Sequence, residues 1–294
     1  MSALALLAAL TAAAGWWVPG RLARAAWTVR APGAAIALWC ALMAFCAMAV
    51  AMGLHRLSAG HDRSAGLLGW ITGRHGRVAE GLAGHVEAVV LAAAVFGAAG
   101  TVVAAGWVKA ARARRRHREL LDLVARPGAG GTLVVDDSRA AAWCLPGRGG
   151  RVVLTRGADE QLTAGQRRAV LAHERAHLAG RHHLVLASVA ALGRALDRLP
   201  LARLAAQRVP VLCEMAADDA AVRVAGRGAV AQALCRVAGG AAPAGALAAG
   251  AHGVVERLRR LTAVQPALSV PARVVCWGVV LVLPVVPVLV ACGP

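Results

Sequence analysis

Residues Leu162 to His183 read LTAGQRRAVLAHERAHLAGRHH. Thr163 followed three residues later by Gln166 is a capping-box pattern, so the spacing predicts a helix that starts there, with Val170, Leu171 and Leu178 near one stripe. Residues four apart on a helix share a face about one turn from each other, so His173 and His177 can aim their imidazoles at one point. That spacing suits a metal ion, with Glu174 projecting beside it. Zinc lowers the pKa of bound water to about 7, and a carboxylate in that place can take the proton and deliver it to a leaving amine. Glu214 lies 37 positions beyond His177, in Glu214-Met215-Ala216-Ala217-Asp218, on a helix expected over Pro210 to Gly226. It reads as a third ligand that leaves the fourth position for water and substrate, or else as a solvated or ion-paired carboxylate. Asp218 either hydrogen-bonds a ligating imidazole from outside or sits near Arg223.

The chain around this stretch is 59% hydrophobic yet carries a formal charge of +18 over 294 residues. Basic charge beside long apolar runs, with little aromatic surface for stacking bases, points to a membrane protein and away from nucleic acid. The seven cysteines form no CxxC pair and indicate no disulfide framework. Four uncharged runs are long enough to span: Met1 to Gly20, Ala31 to Leu54, Ala88 to Val108, and Val274 to Cys292 with Pro284 and Pro287 inside it. The first is read as a retained helix, because its arginines follow the apolar run instead of preceding it as in a signal peptide. The third is followed by Lys109, Arg112, Arg114, Arg115, Arg116 and Arg118. Such a cluster stays cytoplasmic, so the N-terminus is expected outside, the 57–85 loop outside, and the metal motif in the cytoplasm.

Between Thr132 and Thr155 the pattern turns to short β-rich segments. Thr132 to Val135, Trp143 to Leu145 and Arg151 to Thr155 predict a small sheet, the last two joined through Gly147-Arg148-Gly149-Gly150 as a hairpin. A sheet edge beside a metal helix can hold an extended substrate by main-chain hydrogen bonds; Trp143, Cys144 and Leu145 are the segment expected to do so, or they form an ordinary internal strand. Leu184 to Leu192 reads as the buried continuation of the metal helix, with His182 and His183 interfacial. Gly239 to Gly253 reads as a mobile loop, and Val254 to Leu261 as a short basic helix. The expected architecture is a mainly α, four-span membrane protein with an α+β zincin domain between spans three and four: 1–108, three spans; 109–270, the cytoplasmic metal domain; 271–294, the fourth span.

Ala140 to Gly147, Val152 to Thr155, Val170 to His177, Glu214 to Asp218 and Val254 to Leu261 together resemble the BlaR/MecR-type membrane zinc metallopeptidases. The resemblance implies a gluzincin endopeptidase with zinc on His173, His177 and Glu214 and with Glu174 as catalytic base. It further implies cleavage of a cytoplasmic transcriptional repressor in answer to an external signal. The antibiotic-sensing members carry an external penicillin-binding domain after the last span, which is not found here. The only lysine, Lys109, has Gly106 three residues before it instead of a nucleophilic serine. The signal is therefore expected through the 57–85 loop, the bilayer or a separate sensor protein. Quality-control proteases of the HtpX type share the histidine motif and the downstream glutamate. They typically carry Asn-Ala where this chain has Ala140-Ala141-Ala142-Trp143, which leaves them as the alternative. A membrane signalling protein with a structural metal site is the non-enzymatic rival; it would have no use for Glu174.

Overall fold

The computed structural model describes residues 3–58, 78–147, 149–240, 247–263, 266 and 268–292. Most of the 57–85 loop and residues 241–246 of the 239–253 segment lie outside the described residues. Four helical stretches are long and apolar enough to cross a membrane: Ala3–Arg24, Pro32–Leu57, Val89–Val124 and Val270–Ala291. Their outward faces are apolar, as at Val89, Val90, Phe96, Val274 and Leu281, which suits lipid contact.

The first stretch consists of α1 (Ala3–Ala12), a π turn (Ala13–Trp17) and α2 (Val18–Arg24). Pro19 cannot donate a backbone bond and its ring crowds the carbonyl four residues back, so the wider turn falls just ahead of it. Arg21 stacks over the Trp17 ring at 4.3 Å, a pairing suited to the headgroup layer. Helix α3 (Pro32–Ser58) follows. Helix α4 (Val78–Val124) is longer than the expected third span and carries the arginine cluster outward as one continuous rod. At its far end Leu121 packs with Leu145 and Val153, and Arg118 donates to the Leu145 carbonyl at 3.2 Å. The third span is thus mechanically continuous with the sheet.

Four strands form that sheet: β1 (Arg126–Pro127), β2 (Thr132–Val135), β3 (Ala142–Leu145) and β4 (Arg151–Thr155), in the order β1-β2-β4-β3. β2 and β4 are parallel; β1 and β3 pair antiparallel with their neighbours. β3 therefore ends the sheet on one side. Thr155 N–H donates to the Ala141 carbonyl at 3.0 Å, so in the register that follows Trp143 and Leu145 bond inward to β4 while the backbones of Ala142 and Cys144 face the free edge.

A short helix α5 (Arg156–Gln161) leads to the metal-motif helix α6 (Ala164–Ala179), whose start is capped as the sequence predicts. Thr163 Oγ1 accepts from Gln166 N–H at 3.3 Å and Gln166 Oε1 accepts from Thr163 N–H at 3.0 Å. The expected continuation through Leu192 does not form. Arg181 takes φ 48°, a left-handed backbone that ends α6, and a separate helix α7 (His182–Ala195) turns away against α4. Close approach there needs a glycine: a Cβ on Gly106 would meet Ala191 Cβ at 2.7 Å. Trp107 secures the contact, donating from Nε1 to the Leu184 carbonyl at 3.1 Å and to Ser188 Oγ at 2.9 Å.

Helix α8 (Pro200–Ala225) starts ten residues before the expected Pro210 and runs through that proline. Helices α9 (Arg227–Gly240) and α10 (Leu247–Thr262) follow, so the segment expected as a loop over 239–253 is helical from Leu247 onward. The chain closes with α11 (Val270–Val282), a 3-10 turn (Leu283–Val285) and α12 (Val286–Cys292), the break falling at Pro284 and Pro287. One core joins the candidate spans to α7 and α8. Trp39, Leu42 and Phe45 of α3 pack with Val189 of α7 and with Leu201, Val209, Leu212 and Met215 of α8. The segment after α4 therefore does not hang from the spans by a linker; its central helix is packed into them.

Candidate metal centre

Helices α6 and α8 pack side by side, and that contact brings residues some forty positions apart onto one point. His173 Nε2 and His177 Nε2 lie 3.1 Å apart; Glu214 Oε2 is 3.3 Å from the first and Oε1 is 3.4 Å from the second. A tetrahedral ion with nitrogen and oxygen bonds of about 2.0–2.1 Å has ligand atoms roughly 3.3 Å apart. The spacings of His177 Nε2 to His173 Nε2 and to Glu214 Oε1 match that edge, and one ligand atom from each of the three residues lies within 4.8 Å of the others. Two imidazole lone pairs and a carboxylate facing one another would repel, so a cation is what the donor set calls for. No other group of three such side chains close enough to hold a metal is found among the described residues.

The ligating side chains are held from behind. Asp218, one turn beyond Glu214 and 1% exposed, accepts from His173 Nδ1 at 3.0 Å, which leaves Nε2 with its lone pair toward the metal position. Arg257 on α10 donates from Nε and Nη2 to the two Asp218 oxygens at 2.8 and 2.7 Å, and from Nη1 to Glu214 Oε2 at 2.9 Å. Glu214 can thus keep Oε2 on Arg257 and offer Oε1 to an ion. Asp218 pairs with Arg257, 39 positions downstream, instead of the sequence neighbour Arg223. His182 also departs from its expected interfacial place: its Nδ1 lies 2.9 Å from His177 Nδ1. Gly180 permits this, since a Cβ there would meet His182 Nε2 at 2.6 Å. His183 is not part of the group.

Charge follows from this geometry. Burial disfavours a charged His173, but the Asp218 and Glu214 carboxylates outweigh it and push His173 up to about 9. Burial takes His177 down to about 4. Burial would raise both carboxyls, yet the hydrogen bond from His173 and the Arg257 charge hold Glu214 at about 2, and hydrogen bonds from Arg257 and His173 do the same for Asp218. A proton and a metal ion therefore compete for His173. Glu174 differs from these carboxylates: burial raises its pKa, with Glu214 adding to the shift, although Cys144 of β3 donates to it from its backbone N–H and its thiol. That is the environment of a carboxylate ready to accept a proton.

Glu174 also ties the metal helix to the outward-facing side of β3. The expected substrate segment Trp143 to Leu145 coincides with the edge strand, but only Cys144 of the three turns its backbone outward, and Ala142, absent from that expectation, does so too. Trp143 instead faces the arginine-rich end of α4, its ring 6.1 Å from that of His117. A cavity of about 180 Å³ opens on His173, Glu174 and Glu214, and its far wall is aliphatic: Ala142, Ala169 and Val170 with Val230, Ala233, Leu234 and Val237. Arg257 and His182 are the functional residues that sequence reasoning missed. The only local signal was an arginine in a basic amphipathic segment and a histidine one turn past the motif.

Residues 108–208 match the family model described as Peptidase family M48. The match covers roughly a third of the chain, from the end of the third span through the sheet, α6 and α7 to the first turns of α8. It includes His173, Glu174 and His177 and stops before Glu214. It supports a metallopeptidase coarsely and does not single out the BlaR/MecR type. No curated protein and no solved structure matches the chain.

Proposed function

We propose that this chain is a zinc-dependent endopeptidase of the membrane, hydrolysing peptide bonds in polypeptides laid along the free edge of β3. The observation that carries the reading is the position of Glu174: a half-buried, proton-ready carboxylate between the His173, His177 and Glu214 cluster and the outward backbone of an edge strand. Ala142 and the Cys144 carbonyl offer main-chain partners to an extended substrate, which places a scissile bond across the cluster. Zinc, when bound to His173, His177 and Glu214, supplies Lewis acidity to the scissile carbonyl and to water. Glu174 removes a proton from the attacking water as its oxygen bonds to the carbonyl carbon. The same proton then passes from Glu174 to the departing nitrogen as the C–N bond breaks, giving a carboxylic acid and an amine, and the acid's proton passes to the amine to leave carboxylate and ammonium. Asp218 and Arg257 keep His173 and Glu214 oriented throughout, and the aliphatic cavity accepts an apolar side chain next to the cut.

The basic end of α4 supports a cytoplasmic site with the N-terminus outside. With the BlaR/MecR resemblance, this supports regulatory cleavage of a cytoplasmic transcriptional repressor, answering a signal that reaches the protein through the bilayer or a separate sensor protein. The cavity favours a second reading, HtpX-like quality control, because small aliphatic walls discriminate weakly among apolar side chains. Comparative analysis of protein termini in cells carrying the wild type or Glu174→Gln tests both. New termini in one or two proteins, a DNA-binding repressor among them, would support regulation, and many cut membrane proteins would support quality control. Identical termini from the two forms, with zinc bound in both, would overturn the peptidase reading.

A further inference from the structure

A second cavity, of about 510 Å³, lies on the other side of the α8–α10 pair from the metal centre. Five arginines line it, Arg30, Arg223, Arg227, Arg260 and Arg273, against one acid, Asp219. Arg260 already holds Asp219, along with the backbone carbonyls of Val29 and Met215. Arg30, Arg223 and Arg273 are exposed and have no acidic partner in that wall. Guanidiniums converging on one space repel one another unless an anion joins them, and their planar forks match phosphate oxygens two at a time. Gly33 and Ala34, in the first turn of α3, form part of the same wall, and backbone N–H groups there have no partner within the helix.

The surroundings identify the source of the anion. Arg273 lies one turn before Trp277 at the head of the last candidate span, and Trp277 itself lines the cavity. Beyond it the exposed apolar residues Val270, Val274, Trp277 and Leu281 run at helical spacing along α11. The cavity is thus cationic at its mouth and continues onto a lipid-suited stripe, with a tryptophan where headgroup and acyl layers meet. We propose that it holds the phosphodiester headgroup of an anionic phospholipid, whose acyl chains lie along α11. Arg260 stands one turn from Arg257 on α10 and Asp219 directly follows Asp218 on α8, so a bound headgroup braces two helices that also hold the metal centre. The site does not depend on peptide cleavage, and binding reads it directly.

The full-length protein, purified in detergent, would be titrated with phosphatidylglycerol or phosphatidylcholine and followed by native mass spectrometry, with inorganic phosphate as competitor. Wild type is expected to retain phosphatidylglycerol in preference to phosphatidylcholine. Replacing two exposed cations, Arg223→Gln with Arg273→Gln, should weaken retention roughly 30-fold, about fivefold for each charge. The comparison pair Arg112→Gln with Arg116→Gln, in the basic end of α4, should keep wild-type retention. Equal loss from both pairs would mean diffuse charge attraction and overturn the site, as would the absence of any preference for the anionic lipid. Displacement of the lipid by inorganic phosphate alone would assign the arginines to a free anion and overturn the lipid proposal. Should the cavity pair not fold, each single glutamine variant, expected to be about fivefold weaker, carries the same test.

Discussion

Replacing Asp218 by asparagine removes one charge from the back of the metal centre and leaves its volume almost unchanged. In the wild type the Asp218 carboxylate accepts three hydrogen bonds, from His173 Nδ1 at 3.0 Å and from Arg257 Nε and Nη2 at 2.8 and 2.7 Å. Asparagine has one acceptor oxygen to offer these donors, and its amide turns two further donors toward them. His173 then loses the partner that holds its tautomer, and Arg257 keeps a charge-assisted bond only to Glu214. Loss of such an outer partner typically lowers metal affinity about 10- to 100-fold. That is about 1.4–2.8 kcal/mol of binding free energy. Stability should fall as well, by about 1–3 kcal/mol, because Arg257 loses its two-point partner and His173 its acceptor while Arg257 keeps Glu214. Zinc affinity would be measured on detergent-purified protein by competition with a chromophoric chelator, and helix content by circular dichroism. A variant that keeps its helices and binds zinc within about twofold of wild type would refute the role given to Asp218.

The raised His173 value gives a signed pH effect. Without metal, the His173 contribution to stability is full below the unfolded value near 6.5 and is lost as pH rises through about 9. Zinc replaces that proton, so binding near pH 7 should release about one proton and tighten as pH rises toward 9; calorimetry in buffers of different ionisation heat reads it, and a release near zero would be the contrary result. Asp218 runs the other way: its contribution is full above about pH 4 and lost as pH falls through about 2, so acid unfolding of the wild type should lie below that of Asp218→Asn. Gly180→Ala puts a Cβ where His182 Nε2 stands at 2.6 Å and should push His182 off His177, lowering zinc affinity while helix content stays; unchanged affinity would show that His182 does not support His177. Gly106→Leu should separate α4 from α7 and cost about 1–3 kcal/mol in thermal unfolding, whereas an unchanged midpoint would mean the contact is not close-packed.

Local chemistry, which needs no tertiary partner, carried much of this protein in its sequence. Uncharged runs of spanning length placed the four candidate spans, although the third continues to Val124, well past the expected end at Val108. Thr163 and Gln166 marked the start of the metal helix because a capping box is made within four residues, and the four-residue step from His173 to His177 put both rings on one face. Glu214 and Asp218 were legible as candidates from their own i, i+4 spacing, yet their partners were not. Asp218 had a basic residue nearby in sequence, Arg223, and its carboxylate is held instead by Arg257, because α10 folds back across α8. Leu184 to Leu192 has the apolar pattern of a continued helix; a left-handed residue at Arg181 ends α6 and returns His182 to His177, and Gly180 marks a stop without giving the direction of that bend. Periodicity reports which face of a helix is apolar, and it cannot say which other helix will cover that face. That choice, made by packing α6 against α8 and both against the spans, is what converges histidines, carboxylates and an arginine drawn from three helices onto one point.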